Sequence, residues 1–154
     1  MNAKKITRAL AVLLFVSAGV AGAQTSPVTG AWARISLRDS AGMTLQPPTP
    51  AAFVIFSANG FFSQSAIPTG RPKVDKALAD MTKDELVARF QGLSAWRGTY
   101  SITGDRLTRT TVADADPNDE GSALIQVFRF AGDTLILSSP NSASKAEARF
   151  VPVR

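Results

Sequence analysis

Apolar and polar residues alternate most regularly between Trp96 and Thr111. Two alternating runs flank Gly104-Asp105, which reads as a hairpin with a two-residue turn. Residues equidistant from the turn must oppose each other, so Ile102 faces Leu107, Tyr100 faces Arg109 and Gly98 faces Thr111. Side chains switch faces at every residue of a strand, which puts Trp96, Gly98, Tyr100, Ile102, Leu107 and Arg109 on one face. Arg97, Thr99, Ser101, Thr108 and Thr110 take the other. The first face is aromatic and apolar with a single Arg; the second is small, polar and suited to water.

The same pattern recurs along the chain. Ser122–Phe130 and Thr134–Ser138 are joined through Ala131-Gly132-Asp133, so Phe128 opposes Leu137 and Phe130 opposes Leu135. Leu124, Gln126, Phe128, Phe130, Leu135 and Leu137 then share a face, with Ile125, Val127, Arg129 and Ile136 behind them. Ala51–Ser57 and Phe61–Ala66 are joined by Asn59-Gly60, a strong hairpin signal. Taken as a two-residue turn, this pair sets Phe56 against Ser63, Ile55 against Gln64 and Ala58 against Phe61. Aromatic residues then fall on both faces, Phe53 and Phe62 on one and Phe56 and Phe61 on the other, as if the single helix helped to cover one of them. Gly30–Arg38 alternates Ala33, Ile35 and Leu37 against Trp32, Arg34 and Ser36, and Ala146–Val153 supplies a last strand.

One helix interrupts the strands. Thr82 and Glu85 form the two halves of a capping box, Leu86, Val87 and Phe90 make an apolar stripe, and Gly92 stops a helix over Lys83–Gln91. The Gln46–Pro50 run is an extended loop, because Pro cannot donate to a central ladder. The expectation is an all-β, eight-stranded antiparallel up-and-down barrel, with that short helix inserted between strands 3 and 4. A barrel of this size is filled by side chains or holds one small ligand. A two-sheet sandwich is the alternative architecture.

The first residues change the charge balance. Lys4, Lys5 and Arg8, the apolar run Ala9–Val16 and Ala21-Gly22-Ala23 have the three parts of a cleaved secretory signal over residues 1–23. The apolar run is too short for a permanent membrane anchor, and no Cys is present to carry a lipid. The expected mature domain, 24–154, is periplasmic or secreted and begins at Gln24. Without the leader, 14 basic residues face 12 acidic ones, so the high isoelectric point loses its force as a sign of nucleic-acid binding.

Composition also narrows the chemistry. The chain has no His and no Cys, which removes imidazole bases, Ser-His and Cys-His pairs and His/Cys zinc sites. Asp114, Asp116 and Asn118 occupy the first positions of a calcium loop, but Asp119 stands where that loop needs Gly and Ile125 where it needs Glu. No metal or cofactor is expected there.

Several of these stretches together resemble a known family. Gly30-Ala31-Trp32, Asn59-Gly60-Phe61, Gly70-Arg71-Pro72, Phe90-Gln91-Gly92, Arg97-Gly98-Thr99-Tyr100, Gly132-Asp133-Thr134-Leu135 and the late Arg149 are similar, in that order, to the bacterial lipocalin-like domain proteins, small calycin-type barrels. The resemblance implies that Trp32 closes the narrow end of a barrel with Arg149 packed over it as a cation–π plug. Arg109 and Leu93 depart from the family pattern, which often has His and Tyr at those positions.

The candidate ligand-binding residues are Trp96, Tyr100, Arg109, Gln126 and Phe128, with Phe56 and Phe61 added if their face points inward. Rings with a few placed polar groups are the ordinary lining of a small-molecule pocket, although alternate aromatic residues in a strand also simply pack a core. An inward Arg109 needs either a partner and water at the mouth or an anionic ligand group, because a lone buried charge is costly. The leading expectation is an exported binding protein for a small hydrophobic molecule, neutral or acidic, with Arg109 at the mouth. The rivals are an isomerase or cyclase using Tyr100 and Arg109, and a protein-binding envelope module with a filled barrel.

Overall fold

The computed structural model describes residues 26–45, 51–68, 70–71 and 73–154. The expected leader, the Gln46–Pro50 loop and Pro72 of the Gly70-Arg71-Pro72 motif lie outside the described residues. Eight strands run in chain order: β1 Gly30–Arg38, β2 Ala51–Phe56, β3 Phe61–Ile67, β4 Ser94–Thr103, β5 Arg106–Asp114, β6 Ala123–Ala131, β7 Thr134–Ser138 and β8 Glu147–Pro152. Each pairs antiparallel with its sequence neighbour, and β8 returns to β1, closing the barrel. Closure leaves no strand edge to bind another chain. Helix α1, Lys83–Phe90, sits between β3 and β4 as expected, with the Thr82–Glu85 capping box formed.

The barrel has two unlike ends. The turns after β2, β4 and β6 are short and gather at one end. The strand ends joined by the longer connections, including the one that carries α1, lie at the other, which is the mouth. The core lies between: Val28, Trp32, Val54, Phe56, Phe62, Leu107, Leu135, Leu137 and Phe150 are buried together, with Trp96, Tyr100, Ile102, Phe128 and Ala148 packed against them.

The central and third hairpins have the expected registers, Tyr100 opposite Arg109 and Phe128 opposite Leu137. The second does not. Phe56 opposes Phe62 and Ile55 opposes Ser63, one residue away from the expected pairing. Of the turn residues only Gly60 has a positive φ, at 83°, whereas a two-residue Asn-Gly turn needs both residues there. The chain instead makes a three-residue loop, with the Ser57 N–H donating to the Phe61 carbonyl at 2.8 Å. A one-residue slip reverses every side chain. Phe56, Phe62 and Gln64 therefore face inward, and Phe61 is on the outside at 54% exposure.

Strand β1 departs from strict alternation too. Its pairing with β8 shifts between Arg34 and Ser36, a bulge that leaves Ile35 without an opposite residue. Trp32 and Arg34 share the inner face, and beyond the bulge it is Leu37, opposite Ala148, that points inward. Helix α1 does not cover the sheet: none of its residues is buried, and Val87 and Phe90 of its stripe are exposed.

Gly98 is the tightest point of the ladder. A Cβ there would lie 1.8 Å from the Thr110 carbonyl oxygen, beside the shift in β4–β5 pairing between Arg97 and Gly98. At Gly132 nothing stands within 4 Å, although its φ is +61°. Gly98→Ala is expected to lower unfolding free energy by about 3 kcal/mol and Gly132→Ala by about 1 kcal/mol, read from urea denaturation.

Candidate functional site

Midway down the barrel, the inner face of β5 presents Arg109, only 3% exposed. Its Nη1 donates to Gln64 Oε1 at 2.7 Å and its Nη2 to Gln126 Oε1 at 2.5 Å. The guanidinium lies 4.2 Å from the centre of the Trp96 ring and 5.5 Å from that of Phe62. Its Nε is buried without a hydrogen-bond partner among the described residues. Among the described residues no carboxylate is paired with it. The cation is thus held by two neutral amides and two aromatic faces. Burial lowers its pKa to about 9, so it is still charged at neutral pH.

The hairpin geometry explains this cluster. The Gly104-Asp105 turn sets Arg109 opposite Tyr100 on the inner face, β6 brings Gln126 beside it opposite Leu107, and β3 supplies Gln64 opposite Trp96. Gln64 is the partner that sequence reasoning missed. The signal was available in the alternation Phe62-x-Gln64, but it points inward only once the second turn is given its third residue.

The other candidate residues divide by depth. Trp96 and Gln126 meet at Arg109 as expected. Tyr100 lies deeper, with its hydroxyl donating to the Ser57 carbonyl at 2.8 Å, at the short-turn end. Phe56 packs edge-on against Tyr100 at 5.1 Å, and Phe128 against Phe130 at 6.3 Å. These rings pack the lower barrel as part of the core, the plainer of the two readings open to them. Arg109 itself is below the mouth, not at it. Phe61, turned outward by the register, is not part of this cluster.

The expected Trp32–Arg149 plug is also corrected. Trp32 is buried at the short-turn end, donating from Nε1 to the Val28 carbonyl at 2.8 Å and meeting Phe130 at 5.9 Å. Arg149 is on the outer face, since its neighbour Phe150 is the inward residue. There Arg149 Nε lies 2.7 Å from Glu147 Oε1, and Arg129 approaches the same carboxylate at 3.1 Å. Strand parity keeps Arg149 and the indole on opposite sides of the wall.

Two adjoining cavities open at the mouth. One, of 290 Å³, is lined by Ser94, Trp96, Thr111, Asp114, Asp119, Ser122 and Leu124. The other, of 250 Å³, includes Leu37, Leu124, Gln126, Leu137, Ala148 and Glu147. Leu124 borders both; Trp96 and Gln126 each touch Arg109 and line one cavity. Arg34, also on the inner face, has its pKa lowered by desolvation. The acidic loop turns its acceptors on itself: Asp114 accepts from the Asp116 N–H at 2.9 Å and Asp116 from the Asn118 N–H at 3.0 Å. No group of metal-ligating residues is found among the described residues.

A buried cation with neutral partners costs folding free energy. Arg109→Met is therefore expected to leave the protein as stable as the wild type or up to about 2 kcal/mol more stable in chemical denaturation. A structural role for the charge would instead predict a loss of about 3–5 kcal/mol. The pH dependence carries the same sign. The unfolded guanidinium keeps its proton to far higher pH than the folded one, which holds it only to about 9, so raising the pH above about 9 relieves the burial cost. Wild-type stability is expected to rise relative to Arg109→Met as pH climbs through that value, with the difference constant below it.

No family model and no curated protein matches the sequence. Solved structures do. A lipocalin-like protein from Bacteroides uniformis is 18% identical, with a TM-score of 0.50 over 81% of this chain and 97% of that one. An uncharacterized protein from Bacteroides eggerthii is 12% identical, with a TM-score of 0.49 over 81% and 98% of the two chains. The first likeness, together with the closed eight-stranded topology and the helix after β3, makes this a lipocalin-like barrel fold.

Proposed function

We propose that this chain is an exported barrel that binds a small hydrophobic molecule bearing an acidic group, at the mouth rather than in the depths. The observation that carries the reading is Arg109, a buried cation whose hydrogen-bond acceptors are amides and which, among the described residues, no carboxylate accompanies. Folding alone gains little from such an arrangement, whereas an anionic ligand would supply the missing counter-charge. The apolar walls above it, Leu37, Leu124, Leu137 and the Trp96 ring, give a ligand area to bury.

Catalysis through Tyr100 has less support, because its hydroxyl is bonded to Ser57 at the end away from the mouth. The filled lower barrel favours a second reading, a protein-binding module that acts through its outer loops. The two readings differ in a melting experiment. With apolar acids at one hundred times Kd, binding predicts a stabilisation of about 2.7 kcal/mol and a rise in Tm of about 10 °C. The protein-binding reading predicts no shift. Arg109→Met should abolish the shift with acids and keep any shift with the matching alcohols. Export is supported by the tripartite leader at residues 1–23. N-terminal sequencing of the exported protein is expected to begin at Gln24, and an intact Met1 in that fraction would refute cleavage.

A further inference from the structure

We infer that the mouth takes a compact monocarboxylate acid-first, with the carboxylate descending to Arg109 and the apolar end left at the rim. This assignment rests on the binding proposed for the mouth and adds the polarity and size of the ligand. Depth is the first ground. Arg109 lies beneath Trp96 and beside Gln126, and each of these lines a mouth cavity. A ligand entering from the mouth meets apolar walls first and the cation last.

Rim charge is the second ground. The 290 Å³ cavity carries Asp114 and Asp119, and the 250 Å³ cavity carries Glu147 beside Arg38. A carboxylate left at the first rim would stand against two others of the same sign. At Arg109 it would replace neutral amide oxygens as acceptor, and hydrogen bonds between two charged groups are about twice as strong as neutral ones. Nε of Arg109, which has no acceptor among the described residues, offers a further donor.

Size is the third. Below the guanidinium, Phe62, Phe56 and Leu107 are buried in mutual contact, so a chain cannot thread deeper. The cavities above, 250 and 290 Å³, are at or just below the low end of the roughly 300–1,000 Å³ typical of small-molecule sites. An eight-carbon acid suits that space. A long-chain fatty acid would leave most of its tail in water.

Octanoate labelled with carbon-13 at the carboxyl carbon or at the terminal methyl tests the polarity. The labelled acid is bound to the purified protein and followed by NMR as a soluble paramagnetic agent is added. The methyl signal is expected to broaden several-fold more than the carboxyl signal. In parallel titrations octanoate should bind at least tenfold tighter than octan-1-ol, and palmitate no tighter than octanoate. In Arg109→Met the preference for octanoate over octanol should disappear. Stronger broadening of the carboxyl signal would overturn acid-first binding while leaving binding itself intact. Palmitate binding tenfold tighter than octanoate would overturn the size assignment. Failure of octanoate, octanol and palmitate alike to bind would refute the parent reading, and the polarity with it.

Discussion

Closure of the sheet is the constraint on which the other features depend. Because β1 pairs with β2 on one side and β8 on the other, every strand has two neighbours and every inward side chain competes for one narrow interior. In a cylinder of eight strands a single ring or guanidinium occupies a large part of a cross-section. The short-turn end therefore fills with Trp32, Phe56, Tyr100 and Phe128, and the cavities that adjoin this cluster lie at the mouth. Arg109 marks the boundary between the two regimes. Below it the packing is that of an ordinary apolar core; above it are carboxylates, hydroxyls and open volume.

How much of this was legible in the sequence depended on turn chemistry. At Gly104-Asp105 and Gly132-Asp133 the turn length was read correctly, and the facing pairs and the inward position of Arg109 followed without further information. At Asn59-Gly60 the dipeptide was read as a two-residue turn, whereas only Gly60 adopts a positive φ and the loop takes a third residue. That single difference moved Phe61 outward and brought Gln64 inward to Arg109. The bulge between Arg34 and Ser36 left no signal of any kind, since its cause is the fit of β1 to a strand more than a hundred residues away. Long-range register is invisible to a local pattern.

Volume was less legible than direction. Alternation tells which residues face the interior, but not whether their combined bulk fills it. Trp96, Tyr100, Phe56 and Phe128 all point inward, and the same rings that could have lined a cavity instead meet one another edge-on or, for Trp96, stack against a cation. The Arg149 expectation came from resemblance and not from spacing. Parity would have corrected it: Phe150 is the more apolar of the two neighbours and belongs inside, which sends Arg149 out to Glu147.

The energetic position of Arg109 sets it apart from the apolar core around it. A core that needed a polar group at this depth could have used a neutral one, and Gln64 and Gln126 could have bonded each other or water. A guanidinium charged at neutral pH in the same place adds a desolvation cost that two amide acceptors and an indole face offset only in part. A counter-ion of the kind proposed for the ligand would lower that cost, and the cavities that Trp96 and Gln126 border would be its approach. Closure of the barrel makes this arrangement stable enough to persist with neutral partners. The apolar floor beneath it supplies the folding free energy, and the strain of an incompletely answered charge is confined to one layer of side chains.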